Sequence, residues 1–214
     1  KDGYFEAFTR EWAPIEDMRL SDKDANESKT MNTHLHVLEA YTCLYRVWKS
    51  SLLEERLRGL ISIFEDKILG TDGHLKLFFD DDWNCNYDIF SYGHDIEASW
   101  LIHEAALVLG DPEVLERIEK IVPHIAEAAS EGFTPEGGMI YERVGEEIDR
   151  DRHWWVQAES VVGYFNLWDH FGSRKDLENA LMCWDFIKAS IIDKENGEWF
   201  WSLRADGSIN RVDD

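Results

Sequence analysis

The chain has 214 residues, enough for one domain with a sizeable core, and no apolar run approaching the roughly 20 residues of a transmembrane helix. Its 44 acidic and 22 basic residues give a formal net charge of -22, which repels polyphosphates and argues against nucleic acid as a partner. Cys43, Cys85 and Cys183 are far apart and form no CxxC or Cys/His cluster, so neither a disulfide framework nor a zinc site is indicated, and reduced thiols in the cytoplasm are the simplest account.

In chain order, Asp2-Gly3 followed by Tyr4–Trp12 reads as a short strand or hairpin that closes one structural unit. Lys29–Trp48 then reads as a long helix, and Leu52–Leu69 as a second. In the latter Leu53, Leu57, Leu60, Ile61, Phe64 and Ile68 recur at three- and four-residue steps, as one buried helix face requires. Asp72-Gly73 marks a turn before an alternating segment, His74–Phe79. The pattern repeats: helices over Ser91–Leu109 and Pro112–Ala129, then Gly137-Gly138 and Met139–Arg143. It repeats again with helices over Arg152–Phe171 and Arg174–Ile192, then Asn196-Gly197 and Glu198–Leu203. Gly110-Asp111 and Gly172-Ser173 break two of the pairs as helix–helix turns do.

The unit is therefore helix, helix, hairpin. Asn32 and His94 are 62 residues apart, and His94 and Trp155 are 61 apart, so polar or aromatic clusters recur near the start of each first helix. Helix pairs repeated in this way either stack into an open solenoid or close into an α/α barrel, where the first helices line an inner ring. The fold class expected is all-α, with the clusters meeting around one pocket.

The first cluster is Met31-Asn32-Thr33-His34-Leu35-His36, with Thr30 as a cap. Asn32 and His36 are four apart and share a face, whereas Met31, Leu35 and Leu38 share another that is expected in the core. The second is Tyr92-Gly93-His94-Asp95-Ile96-Glu97. Gly93 permits a close backbone approach or an unusual dihedral, and His94 and Glu97 are three apart. A neighbouring Glu favours the protonated imidazole and a helix N-terminus disfavours it, which suits a group that titrates near neutrality. The plainer reading makes His94 a cap and Glu97 a first-turn dipole partner, and Asp95 is read as no more than that. The third is Arg152-His153-Trp154-Trp155-Val156-Gln157-Ala158-Glu159, where Trp155 and Glu159 share a face. One tryptophan of this pair is expected in the core and the other beside a pocket. Ten tryptophans raise the prior for a sugar ligand, although core filling accounts for most of them. No GxGxxG, P-loop, GxSxG or HExxH motif occurs.

The segments Met31–Tyr41 (MNTHLHVLEAY), Ser91–Trp100 (SYGHDIEASW) and Trp154–Glu159 (WWVQAE) resemble the N-acylglucosamine 2-epimerase family, and most closely its cellobiose 2-epimerase branch. Tyr92 before Gly93-His94 favours that branch. The resemblance implies an (α/α)6 barrel, of which this chain holds about three helix pairs. It also implies inversion at C2 of a reducing-end sugar in a β-1,4-linked disaccharide such as cellobiose: ring opening, deprotonation to a cis-enediolate, rotation about C2–C3 and reprotonation. By that resemblance His94 and His36 are catalytic, the latter at ring opening or the C1 oxygen. Asn32, Glu97, Trp100, Trp154, Trp155 and Glu159 bind substrate, and no metal or organic cofactor is implied. The partners expected are a disaccharide or monosaccharide substrate, with no nucleic acid and no membrane.

Two family features have no counterpart, a second catalytic histidine in a C-terminal Pro-Tyr-His-type motif and a substrate-binding arginine on early helices. Residues 1–214 are accordingly expected to be one incomplete catalytic domain, inactive alone, with Val212-Asp213-Asp214 at the point where a further helix would begin. The alternatives are an aldose–ketose isomerase, an N-acylglucosamine 2-epimerase, an α/α-toroid glycoside hydrolase and a non-catalytic sugar-binding module. The hydrolase needs a pair of carboxylic acids across the scissile bond, whereas the acids here sit beside histidines.

Overall fold

A computed structural model describes residues 2–21 and 24–211. The expected turn after Val212-Asp213-Asp214 lies outside the described residues. Where the sequence shows three- and four-residue apolar spacing, the chain is helical: α1 (Met31–Val47), α2 (Ser51–Ile63), α3 (Tyr92–Leu109), α4 (Pro112–Ala129), α5 (Trp154–Phe171) and α6 (Arg174–Phe186). The α2 stripe is buried as its spacing requires, with Leu53, Leu57, Leu60 and Ile61 all inside. Beyond α2 and α6 the chain continues in a wider helical turn, Phe64–Ile68 and Ile187–Ile191, and both ends of each turn are buried.

Short strands connect the pairs: β1 (Lys29–Thr30), β2 (Phe78–Phe79), β3 (Ile89–Ser91), β4 (Glu142–Val144), β5 (Glu147–Asp149), β6 (Arg152–His153), β7 (Ser202–Leu203) and β8 (Ile209–Asn210). The strand that enters a helix pair always bonds antiparallel to the strand that leaves it. β1 meets β2 with Lys29 opposite Phe79, β3 meets β4 with Phe90 opposite Arg143, and β6 meets β7 with His153 opposite Ser202. A single bridge follows each second helix as well, Leu69 to Leu75, Phe133 to Met139 and Ile192 to Trp199. Within these turns Gly73, Gly137 and Gly197 adopt φ of 94, 93 and 86°, a left-handed region that costs a side-chain-bearing residue strain.

The hairpin expectation is right in kind and too long in extent. Only the last residues of His74–Phe79 and Glu198–Leu203, and Glu142–Val144 at and just past the end of Met139–Arg143, pair as strands. Tyr4–Trp12 contains no strand. The Tyr4 backbone N–H, which a ladder would use, donates instead to His34 Nε2 at 3.0 Å, and Trp12 takes a left-handed φ of 62°.

The described chain forms two compact units. The first comprises Lys1–Thr71, Leu75–Asp88 and Leu101–Ile118. Its core holds Met31, Leu35 and Leu38 of α1 with Leu57, Leu60 and Ile61 of α2, and Arg46 and Glu104 pair at 2.6 Å on its surface. The second comprises Asp72–His74, Ile89–Trp100 and Glu119–Asp214. Here Cys183, Ile187, Ile191 and Leu203 form a buried cluster flanked by Phe133, Val161 and Phe186. Tyr164 is buried with its hydroxyl 2.9 Å from Ser130 Oγ.

One buried polar side chain ties α5 to the preceding hairpin. Gln157 Oε1 accepts from the Met139 N–H at 2.8 Å, and its Nε2 donates to the carbonyls of Met139 at 2.8 Å and His153 at 3.1 Å. The amide thus stands in for a strand neighbour at Met139. Gln157→Leu removes all three bonds and strands buried backbone groups, so thermal or urea unfolding should show a loss on the order of 2–3 kcal/mol.

Candidate active site

The first turn of α3 is fixed on several sides. Ser91, the last residue of β3, accepts from the His94 N–H at 3.4 Å through its hydroxyl and so caps the helix. A Cβ at Gly132 would come 2.5 Å from the Tyr92 ring, so that glycine lets the ring seat. At Gly93 a Cβ would lie 2.8 Å from the Trp155 ring and 2.7 Å from Val156. Of the two readings open for Gly93, close approach is the correct one; its φ is not in the left-handed region. His94 is half-buried between buried neighbours, and its ring centroid lies 4.8 Å from that of Trp155 at an interplanar angle of 49°. Glu97, one turn on, is only 7% exposed.

At the start of α5, Trp154 is 39% exposed and Trp155 is half-buried, so the expectation of a core tryptophan in this pair is not met. The buried positions belong to the next two residues, Val156 and Gln157. Trp154 instead borders a cavity of about 390 Å³ with Ala158, Glu198, Trp199 and Trp201. Glu159 accepts from Trp100 Nε1 at 2.9 Å, which joins two predicted substrate-binding side chains across α3 and α5. A carboxylate has lone pairs to spare after one such bond.

In the first unit, Asn32 is half-buried and His36 exposed, with His36 Nδ1 3.1 Å from Glu39 Oε2. His34, on another face, is fully buried. It accepts from the Tyr4 N–H at Nε2, so its proton sits on Nδ1, 2.6 Å from the Thr30 carbonyl. Burial pulls this imidazole below its ordinary value against the opposing effect of that carbonyl. His34 is therefore a neutral structural residue.

The helix starts also correct the repeat register. Asn32, Gly93 and Trp155 are the second residues of α1, α3 and α5, and His94 is a third. The sixth residues are His36, Glu97 and Glu159. Three predicted site residues thus share one helical position, an equivalence that the Asn32–His94–Trp155 spacing obscured by one residue.

Other contributors had no sequence signal. His153, read only as part of a motif, is buried and stacks on Tyr141 at 4.2 Å, and Tyr141 meets Trp155 edge-on at 6.3 Å. Asp95, read as a first-turn dipole partner, is fully buried with Oδ2 2.7 Å from His74 Nδ1. These pairings join segments distant in sequence, which helical periodicity cannot report. Among the described residues no group of three or more His, Cys, Asp or Glu side chains is placed to hold a metal ion. An imidazole that reaches solvent beside an indole face can exchange a proton with a hydroxylated ligand whose C–H surface packs on that indole.

Fold and helix starts define a protein of repeated helix pairs, and comparison gives that class a family. The model for N-acylglucosamine 2-epimerase (GlcNAc 2-epimerase) matches residues 4–213, and the chain belongs to that family. It is 62% identical over 217 aligned residues to the cellobiose 2-epimerase of Bacteroides fragilis, covering 100% of this chain and 55% of the relative. It is 41% identical to the cellobiose 2-epimerase of Ruminococcus albus, covering 95% and 53%. The chain thus spans about half the length of the curated relatives it matches. Among solved structures, a sugar epimerase from a ruminal bacterium superposes with a TM-score of 0.92 at 40% identity, over 97% of this chain and 54% of that one. A D-mannose isomerase, at 0.75 and 20% identity, and a GH76 α-mannanase, at 0.66 and 16%, share the fold alone. The fold class is accordingly that of an α/α toroid, present here in part as three helix pairs.

The close approach at Gly93 gives a direct test of this geometry. Gly93→Ala should displace the Trp155 ring, shifting tryptophan fluorescence and costing about 1–3 kcal/mol in an unfolding titration.

Proposed function

We propose that the protein carrying this chain inverts C2 of the reducing-end sugar of a β-1,4-linked disaccharide such as cellobiose. The observation that carries the reading is the half-buried His94 imidazole beside Trp155, in a chain 62% identical to a cellobiose 2-epimerase. Once the ring opens, the C2 proton is acidified by the neighbouring aldehyde, because the electron pair left behind spreads onto the carbonyl oxygen as an enediolate. His94 exchanges the proton on one face of C2. Rotation about C2–C3 then offers the other face to a second proton-transfer group. Glu97 orients His94 or holds a hydroxyl. Trp155, with Trp154 and Trp100, presents apolar ring faces to the sugar, and Glu159 accepts a hydroxyl hydrogen bond while keeping the one from Trp100. Asn32 and His36 are assigned to ring opening and the C1 oxygen.

The partner is a disaccharide or monosaccharide substrate, and no metal or organic cofactor enters these steps. The charge of -22 weighs against nucleic acid. No helix among the described residues is long and apolar enough to cross a membrane. The three free cysteines, Cys43, Cys85 and Cys183, support a reducing, cytoplasmic setting.

His94→Asn in the full-length protein tests the assignment. Epimerisation of cellobiose should fall by about 10²–10⁴-fold, with the disaccharide dissociation constant by calorimetry within about twofold of wild type. A variant that retains turnover within about tenfold of wild type would remove His94 from the proton transfer.

A further inference from the structure

His94 lies in a turn whose neighbours are all held, and the most buried of those attachments is used by none of the steps above. Asp95 is 0% exposed, and His74, 21 residues earlier and 6% exposed, meets its Oδ2 through Nδ1 at 2.7 Å. The His74 ring also stacks on Phe90 of β3, with centroids 3.7 Å apart and planes 11° from parallel, and meets Tyr92 of α3 edge-on at 6.0 Å. One imidazole therefore grips both sides of the junction where β3 becomes α3. Its other nitrogen faces Glu131 Oε2 at 3.5 Å.

We propose that His74 and Asp95 form a buried positioning pair that fixes the rotation of the first turn of α3 and so the direction and electrostatic surroundings of His94. Consecutive helical side chains diverge by about 100°, so a turn locked at Asp95 aims its neighbour outward at a set angle. Gly93 against Trp155 and Tyr92 over Gly132 lock the same turn from other directions. The pair also sets local charge. A protonated His74 neutralises the Asp95 carboxylate one residue from His94, and without it a buried anion lies one residue from the imidazole.

The charged and titratable groups around His74 are Asp72 in its own turn, Asp95 of α3 and Glu131 after α4; Arg143 of β4 and Arg150 lie near Tyr92. Burial lowers the affinity of His74 for a proton, but the hydrogen bond to Asp95 and the charges of Asp95, Glu131 and Asp72 outweigh it, so the group titrates above its ordinary 6.5. A group raised in this way stabilises the fold fully below the unfolded value, and the contribution is lost as pH rises through the folded one.

The inference rests on the assignment of His94 as the proton-transfer group, and its test includes a measurement independent of turnover. His74→Gln keeps a donor for Asp95 but no charge; His74→Phe keeps the stack on Phe90 but no donor. In the full-length protein, NMR titration of His94 should show its proton affinity raised by about half a unit in His74→Gln. His74→Phe should lower kcat by about tenfold or more with KM within about twofold, and His74→Gln should restore most of that loss. The stability advantage of wild type over His74→Gln should be largest below pH 6.5 and shrink above it. An unchanged His94 titration in His74→Gln would overturn the proposal, even if both variants lose stability, since a merely structural residue would behave in that way. If His94→Asn proves active while His74→Gln still shifts the His94 titration, the proton-transfer assignment falls and the positioning pair stands.

Discussion

Each first helix of a pair begins from a two- or three-residue strand, and antiparallel pairing with the strand leaving the pair holds that start in place. Helix ends ordinarily fray because their first N–H groups lack intrahelical partners. Here the strand, the cap and the packing at the next residues remove that freedom beside the candidate site residues. Thr30 and Ser91 cap α1 and α3 with their hydroxyls; His153 has no such side-chain bond, and the Gln157 amide secures α5 through the His153 carbonyl instead. Side chains on the first two turns, where every candidate site residue except Trp100 lies, inherit this rigidity.

The helix pairs were legible because burying one face imposes a 3.6-residue rhythm, and α4 matches its sequence-derived bounds residue for residue. Strand length was not legible: in Met139–Arg143 the adjacent Met139 and Ile140 are both buried, while the bonded ladder begins only at Glu142. The candidate residues were visible as motifs at helix starts. What joins them was not, because Trp100 with Glu159 and His74 with Asp95 are long-range bonds that leave no local pattern. The tryptophan pair shows a related limit. Trp154 is exposed and Trp155 only half-buried against Gly93 and His94, so hydrophobicity alone placed one of them wrongly inside.

The toroid does not choose the chemistry. An isomerase and a mannanase at or below 20% identity share this backbone arrangement, so the fold alone does not set a reaction, and the proposed one is assigned to the side chains at the helix starts. In the second unit these are an imidazole reaching solvent, an indole within ring-contact distance and two carboxylates, one buried at Glu97 and one bonded to Trp100. That set suits proton exchange on a carbon next to a carbonyl while a sugar ring rests on an aromatic face.

The central claim is proton exchange at C2, and heavy water reports it directly. Full-length protein incubated with cellobiose in D2O should yield the C2 epimer with deuterium at C2, and unreacted cellobiose should gain deuterium at the same carbon, both read by NMR. A ketose labelled at C1, or an epimer that retains its original hydrogen, would contradict the account.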